Sequence, residues 1–183
     1  MQLLCYSEPV VPEPLRRQVL RLRAQVWPPD GDDLHDPALR PLSMLLVEDG
    51  AVRSALDVLS TTIVHRGSTY AVSGLSTVVT DQAYRGAGYG RRLVSAAKLQ
   101  IADSGADLGL FTCDRPLQSF YESAGWTTLD AVLIGGTRED PFPSDQFDKV
   151  TMAAFFSELG KANAVQFEHS RIELYPGDID KLW

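Results

Sequence analysis

The chain has 183 residues, of which 44% are hydrophobic and 22% charged, and this length and composition are typical of one globular domain rather than a disordered or fibrous protein. Its formal net charge is −7, from 17 Lys and Arg against 24 Asp and Glu, so it lacks the basic surface with which proteins hold nucleic-acid phosphates. No apolar run approaches the roughly 20 residues that span a bilayer, and the N-terminus lacks the basic segment of a signal peptide. We therefore expect neither a nucleic-acid partner nor membrane insertion.

The cysteines and histidines show no pattern typical of a metal site. Cys5 and Cys113 form no C-x-x-C pair, which indicates neither a zinc site nor a disulfide framework. His35, His65 and His169 show no triad or metal spacing, so we expect ordinary polar residues at all three positions. The sequence thus predicts no metal and a reducing, cytoplasmic setting.

The first third of the chain predicts two strands around a helix. Residues 2–6 fit a short strand, and apolar residues at helical spacing predict an amphipathic helix over residues 15–26. Asp49 and Gly50 lie between two β-rich runs, which favours a hairpin because both turn positions must tolerate positive φ. A second turn is expected at residues 66–68.

The rest of the chain alternates strands and helices. Residues 70–79 are β-rich and lead into a glycine cluster and a long helix over residues 88–104, and residues 117–123 predict another helix. The remaining predicted strands are residues 108–112, 126–134, 149–156 and, more weakly, 171–174.

Three glycines, Gly86, Gly88 and Gly90, alternate where the long helix begins. Because glycine lacks Cβ, successive N–H groups can face one anion, and the helix N-terminus adds partial positive charge. A dinucleotide fingerprint requires a third glycine where this chain has Arg91, and a P-loop requires Lys and then Ser or Thr after its second glycine. The pattern therefore predicts a different phosphate cradle with Arg85 at its head; tight packing of the helix start is the alternative explanation.

Two motifs resemble those of the GNAT superfamily of N-acetyltransferases. Arg85, Gly88 and Gly90 match the pattern Gln/Arg-x-x-Gly-x-Gly/Ala, which is similar to the superfamily's pyrophosphate motif. Residues 111–126 resemble its closing motif, in which a helix presents a tyrosine before a glycine and an aromatic residue. The matching positions are Tyr121, Gly125 and Trp126.

The resemblance covers residues 43–156 and implies a fold. It is an α+β fold whose mixed, mostly antiparallel sheet has about seven strands, is splayed between the fourth and fifth strands, and is flanked by about four helices. We expect one domain over residues 1–183, with residues 157–183 as a C-terminal extension.

The resemblance also implies acetyl-CoA as the donor and direct acetyl transfer. A backbone N–H near Val78 or Val79 would polarise the thioester carbonyl, and Tyr121 would protonate the departing thiolate. An acetyl-cysteine on Cys113 is the alternative, but we prefer a small buried residue there. The predicted cofactor-binding residues are Val78, Val79, Arg85, Gly86, Ala87, Gly88, Tyr89, Gly90 and Arg91.

The acceptor is less well defined. Superfamily members often carry an acidic residue on the fourth strand, whereas this chain has Ser73, Gly74, Ser76 and Thr77 there. In several places the chain resembles the aminoglycoside 2'-N-acetyltransferases, although Ser73 replaces their acidic residue and the spacer before the terminal Trp is longer. That resemblance implies an acceptor cleft lined by Asp36, Ser73, Gly74, Thr112, Asp148, Asp178 and Trp183.

These observations predict an acetyl-CoA-dependent N-acetyltransferase for a small-molecule primary amine, with aminoglycosides as candidate acceptors and a homodimer as candidate assembly. Two alternatives stay open. One is an acyl-CoA-binding sensor or scaffold without turnover, and the other is an acetyltransferase for a protein or peptide amine.

Overall fold

A seven-stranded sheet forms the centre of the protein. The computed structural model describes residues 1–27 and 34–175, and the main sheet has the strand order β1-β2-β3-β4-β5-β9-β6. The strands are β1 (Gln2–Ser7), β2 (Leu42–Glu48), β3 (Ala51–His65), β4 (Ser68–Thr80), β5 (Leu108–Asp114), β6 (Thr127–Leu129), β7 (Ala131–Gly136), β8 (Pro141–Pro143), β9 (Lys149–Phe155) and β10 (Ser170–Glu173). The α-helices are α1 (Glu13–Arg23), α2 (Tyr89–Asp103), α3 (Gln118–Ser123) and α4 (Glu158–Asn163). Within the described ranges, no helix combines the length and apolarity needed to cross a membrane.

Both predicted hairpins are present. Asp49 and Gly50 have φ values of 50° and 74°, and Arg66 and Gly67 have 48° and 82°, the left-handed conformations of a two-residue hairpin turn. The predicted first helix ends earlier than expected, at Arg23. After Arg23, the N–H groups of Gln25 and Val26 bond to carbonyls three residues earlier, at 3.2 and 2.9 Å, so the chain tightens out of the α-helical pattern.

The main sheet is splayed between β4 and β5, as expected. The two strands run parallel but pair over only two positions, Val72 with Leu108 and Ser73 with Gly109. Asp107 holds this closed end, because its side chain accepts hydrogen bonds from the Ala71 N–H at 2.8 Å and the Ser157 hydroxyl at 2.5 Å. Beyond it the strands diverge and leave a gap at the centre of the sheet.

The two faces of the sheet bury different cores. On the α2 face, Leu56, Val58 and Leu75 pack against Leu93 and Val94 of α2. On the opposite face, called here the α1 face, Val19 and Leu22 of α1 cover the strands from β2 to β4. Because side chains alternate along a strand, Gly74, Ser76 and Thr112 share the α1 face with Asp57.

The last part of the described chain covers the rest of the α1 face. A second sheet of order β10-β7-β8 pairs β10 parallel to β7. Phe167 is fully buried in a core with Leu59 and Leu110. Its ring stacks on His65, with ring centroids 4.5 Å apart. The His65 ring also bonds to the Gln166 carbonyl at 2.9 Å. The α1 face is therefore bounded by α1 at one end and by this segment at the other.

Trp126 anchors α3 to the α2 face. Its indole is 2% exposed and meets Phe111 edge to face, with centroids 4.8 Å apart. Gly109 on β5 leaves room for the indole, since a Cβ there would lie 2.6 Å from Trp126 Cζ3.

We expect Gly109→Ala to lower the free energy of unfolding by about 1 to 3 kcal/mol, because the added methyl group overpacks this contact. Trp126→Phe removes the atoms that collide, so the double variant should lose less stability than the sum of the single variants. Chemical denaturation of the four proteins measures this coupling. Strict additivity would contradict it.

Candidate active site

The glycine loop before α2 presents backbone N–H groups to open space. Gly86 and Gly88 have φ values of 81° and 86°, and a Cβ at either position would meet nothing within 4 Å. Gly88 precedes α2 with no side-chain cap, and the N–H of Arg92 is the first to bond within the helix, to the Gly88 carbonyl at 3.0 Å. The preceding N–H groups of the helix start therefore point outward without intrahelical partners.

Gly90 has a different role from the other two glycines. A Cβ there would lie 2.8 Å from Thr80 Oγ1 and 3.3 Å from Phe120 Cζ. Tight packing, the alternative considered from the sequence, is thus the reason for glycine at this position. Gly86 and Gly88 are required by backbone conformation.

The loop fits a pyrophosphate. Unbonded N–H groups at a helix start bind phosphate oxygens, and the helix dipole favours negative charge there. Arg85, which donates from Nε to the Thr80 carbonyl at 3.5 Å, and the exposed Arg91 lie in this segment. Tyr89 instead faces β2, because its hydroxyl donates to Glu48 Oε2 at 2.5 Å.

Tyr121 lies on the α2 face, opposite the α1 face across the sheet. Its ring is 6% exposed and packs edge to face on Phe111, with centroids 5.0 Å apart. Burial raises the pKa of Tyr121, and the nearby Cys113 and Asp114 raise it further. The phenol therefore keeps its proton at neutral pH, as a general acid must.

Cys113 points into the same core and is 5% exposed. Burial, followed by the charge of Asp114, raises its pKa to about 11. Only the thiolate is a good nucleophile, so this environment favours a packing role over an acetyl-cysteine.

A β-bulge interrupts β4 beside the gap. Ala55 pairs with Val79 and Asp57 pairs with Ser76, so Thr77 and Val78 together oppose one residue of β3. Thr77 has φ 48°, a conformation rarely adopted by a β-branched residue. The extra residue takes local backbone groups out of the ladder, at the position where the resemblance implies a carbonyl-polarising N–H.

The buried carboxylate of Asp57 holds this bulge. Asp57 is fully buried; its oxygens accept hydrogen bonds from Thr77 Oγ1 at 2.5 Å and Ser43 Oγ at 2.6 Å and form an ion pair with Arg23. Three secondary structure elements, α1, β2 and β4, therefore meet on one carboxylate of β3.

His35 connects Glu8 to Ser76 on the α1 face. Its Nδ1 lies 2.9 Å from Glu8 Oε1, its backbone N–H donates to Glu8 Oε2 at 2.9 Å, and its Nε2 lies 3.0 Å from Ser76 Oγ. Burial raises the pKa of Glu8, but the hydrogen bonds and charge of His35 outweigh this effect, and the net pKa lies below the ordinary value of 4.5. Glu8 is therefore ionised at neutral pH.

The spacing of the histidines did not indicate that His35 bonds to two side chains. Candidate ligand atoms of Glu8, His35 and Asp57 also lie within 4.8 Å of one another. The Asp57 oxygens are already engaged by the Arg23 guanidinium and two hydroxyl groups. This arrangement is therefore a hydrogen-bonded network rather than an open set of metal ligands.

The other two histidines match the expectation. The ring of His65 bonds to a backbone carbonyl, and His169 Nδ1 lies 2.6 Å from Asp130 Oδ2 at an exposed position.

The predicted acceptor residues are not all brought together. Gly74 and Thr112 share the α1 face, whereas Ser73 is buried on the α2 face, with its hydroxyl 2.8 Å from Ser60 Oγ. Asp36 caps the turn that follows His35, accepting from the Ala38 N–H at 2.8 Å. Asp148 is exposed and accepts from Arg115 Nε at 2.6 Å. Asp178 and Trp183 lie outside the described residues.

A splayed sheet with a glycine loop at the start of α2 and a buried phenol on α3 is the arrangement expected of a coenzyme A-dependent acyltransferase. A family model described as an acetyltransferase (GNAT) domain matches residues 15–129. The chain therefore belongs to the GNAT N-acetyltransferases, and its acyl donor is acetyl-CoA.

Solved structures share the fold. An acyl-CoA N-acyltransferase from Pseudomonas aeruginosa is 20% identical over 83% of this chain and 97% of its own, with a TM-score of 0.58. ElaA from Escherichia coli is 18% identical over 84% and 99%, with a TM-score of 0.60. An aminoglycoside 6'-N-acetyltransferase solved with coenzyme A is 14% identical over 86% and 98%, with a TM-score of 0.59. No curated protein matches the chain in sequence.

We expect Glu8→Gln to lower the free energy of unfolding by about 2 kcal/mol near pH 6, because hydrogen bonds to a buried charged acceptor are lost. The folded pKa of Glu8 is lower than its unfolded value, so its contribution is present above about pH 4.5 and is lost as the pH falls through the folded value. Denaturation of both proteins between pH 3 and pH 6 should show the difference shrinking at the acid end.

Glu13→Gln is the control for this measurement, because Glu13 is exposed and pairs with Arg17 on the helix surface. It should change stability little at any of these pH values. An effect of Glu8→Gln that does not depend on pH would contradict an ionised Glu8.

Proposed function

We propose that this N-acetyltransferase transfers the acetyl group directly to a small-molecule primary amine, with aminoglycosides as candidate acceptors. The observation that carries the proposal is the bounded α1 face beside the gap, closed at one end by α1 and at the other by the segment that contains Phe167. A face bounded at both ends suits a small acceptor, whereas an extended peptide needs an open groove.

Charge supports a cationic acceptor. The formal net charge is −7, and acidic clefts concentrate cations. Asp36 directly follows His35 in the chain and is one acidic candidate for the acceptor site. The negative charge of Asp148 is balanced by its ion pair with Arg115. The aminoglycoside 6'-N-acetyltransferase among the solved structures that share the fold supports including aminoglycosides in the panel of test acceptors.

The proposed roles follow from position. The loop around Gly86 and Gly88 would hold the pyrophosphate of the donor, which supplies the acetyl thioester. Backbone N–H groups near Val78 and Val79 would polarise the thioester carbonyl. Tyr121, from the α2 face, would protonate the departing thiolate.

Two further features belong to the proposal. Cys5 and Cys113 are free thiols, which supports a reducing, cytoplasmic setting. The homodimer that the family resemblance implies stays a prediction.

Tyr121→Phe should lower kcat by about 10- to 100-fold and leave the dissociation constant of acetyl-CoA nearly unchanged, because the phenol acts on the leaving group and a thiolate needs only modest assistance. Thiol release and calorimetric binding measure the two effects. Tyr70→Phe is the matched control, since Tyr70 is a fully buried tyrosine whose hydroxyl has no partner among the described residues. Equal losses in both variants would contradict the proposed role.

A panel of amines tests the substrate class. We expect thiol release from acetyl-CoA with aminoglycosides, with polyamines turning over more slowly and short peptides giving no turnover. Turnover of peptides alone would overturn the small-molecule proposal. Tight acetyl-CoA binding without turnover of any amine would favour a sensor.

A further inference from the structure

We propose that Ser76, His35 and Glu8 form the proton exit of the reaction, with Ser76 taking the proton from the acceptor amine and His35 receiving it. The inference rests on the proposed function, because it assigns the base that an amine acceptor requires. An ammonium group has no free electron pair, so one proton must leave before attack. The fourth strand carries no carboxylate for this purpose.

The hydrogen bonds fix the direction of proton flow. The ionised carboxylate of Glu8 only accepts hydrogen bonds, so His35 Nδ1 is the donor across their 2.9 Å contact. In the neutral ring this leaves Nε2 as an acceptor, and the Ser76 hydroxyl donates to it at 3.0 Å. The arrangement places the basic nitrogen of His35 behind a hydroxyl group.

Ser76 is the member of the network that lies nearest the gap. It is half-buried, whereas His35 and Glu8 are 7% and 5% exposed. It directly precedes Thr77 and Val78, the two bulged residues of β4. A side chain at this position borders the point where the backbone leaves the ladder, on the face proposed to hold the acceptor.

Charged groups on three elements surround the His35 ring. Glu8 comes from the turn after β1, and Asp57 Oδ2 on β3 lies 3.9 Å from Nδ1. From α1, the Arg23 guanidinium pairs with Asp57 and offsets part of that charge. Among the described residues, two carboxylates and one guanidinium thus lie beside the ring, so the positive charge that forms when Nε2 receives the proton is partly compensated.

The proton balance is complete with the groups present. As the acceptor ammonium gives one proton to Ser76 Oγ, the Ser76 proton moves to His35 Nε2 and later leaves to solvent. The amine electron pair forms the C–N bond while the C–S bond breaks, and the thiolate takes the proton of Tyr121. The second proton of the nitrogen leaves as the amide forms and restores Tyr121, so the net release is one proton per turnover.

The test compares His35→Gln with His169→Gln in the full chain. His169 is exposed and bonds to Asp130 rather than to a residue of the proposed site. With the best amine of the panel at pH 7, His35→Gln should lower kcat about 100-fold, and His169→Gln should leave it unchanged. The difference in kcat between wild type and His35→Gln should shrink as the pH approaches the pKa of the acceptor amine, because free amine then needs no base. Ser76→Ala should show the same profile.

A structural role for His35 would instead lower kcat by the same factor at every pH, and this result would overturn the proposal. Activity that is lost on chelation and restored by a divalent cation would overturn it in favour of a metal site. An acetyl group found on Ser76 after incubation with acetyl-CoA alone would overturn it in favour of a covalent intermediate.

A measurement without an amine separates this proposal from the proposed function. Water can replace the acceptor, so the slow hydrolysis of acetyl-CoA should also fall in His35→Gln and persist in His169→Gln. If no amine turns over, the substrate proposal fails while this comparison still decides the proton exit. Equal hydrolysis by wild type and His35→Gln would overturn the proton exit.

Discussion

The buried carboxylate of Asp57 is the constraint on which the rest of the site depends. An uncompensated charge in the core costs several kcal/mol, so Asp57 requires partners from every element that surrounds it. Arg23 fixes the end of α1 and Ser43 fixes β2. Thr77 bends toward the same carboxylate, and its unusual φ sets the bulge in β4. The position of the bulge in β4 thus follows from the need to compensate one buried charge.

Much of the fold was predictable because its signals are local. Turn residues such as Asp49 and Gly50 specify a hairpin within four residues, and the helix that starts at the glycine loop shows its period directly in the sequence. The family resemblance supplied what local patterns do not contain, which is the splay between β4 and β5. It also indicated Tyr121, whose ring the structure places in a buried position beside Phe111.

The network around His35 was not predictable because its members are distant in sequence. Glu8 lies 27 residues before His35 and Ser76 lies 41 residues after it, and no periodic pattern links a turn, a loop and a strand. The faces of β4 posed a related problem. The sequence predicted Ser73 and not Ser76 as an acceptor-site residue. Alternation along the strand puts the two on opposite faces, but only the packing of the helices shows that Ser76 shares the α1 face.

The short pairing of β4 with β5 gives the main sheet two open strand edges in its interior. Exposed edges normally occur at the margins of a sheet, where they attract foreign strands. Here α1, α2 and the Phe167 segment cover both faces around them, so an extended chain can approach only along the gap. A donor whose amides paired with these edges would act as an added strand and would tie the two halves of the sheet together. Cooperativity between the halves, and resistance to proteolysis, should therefore rise with donor occupancy.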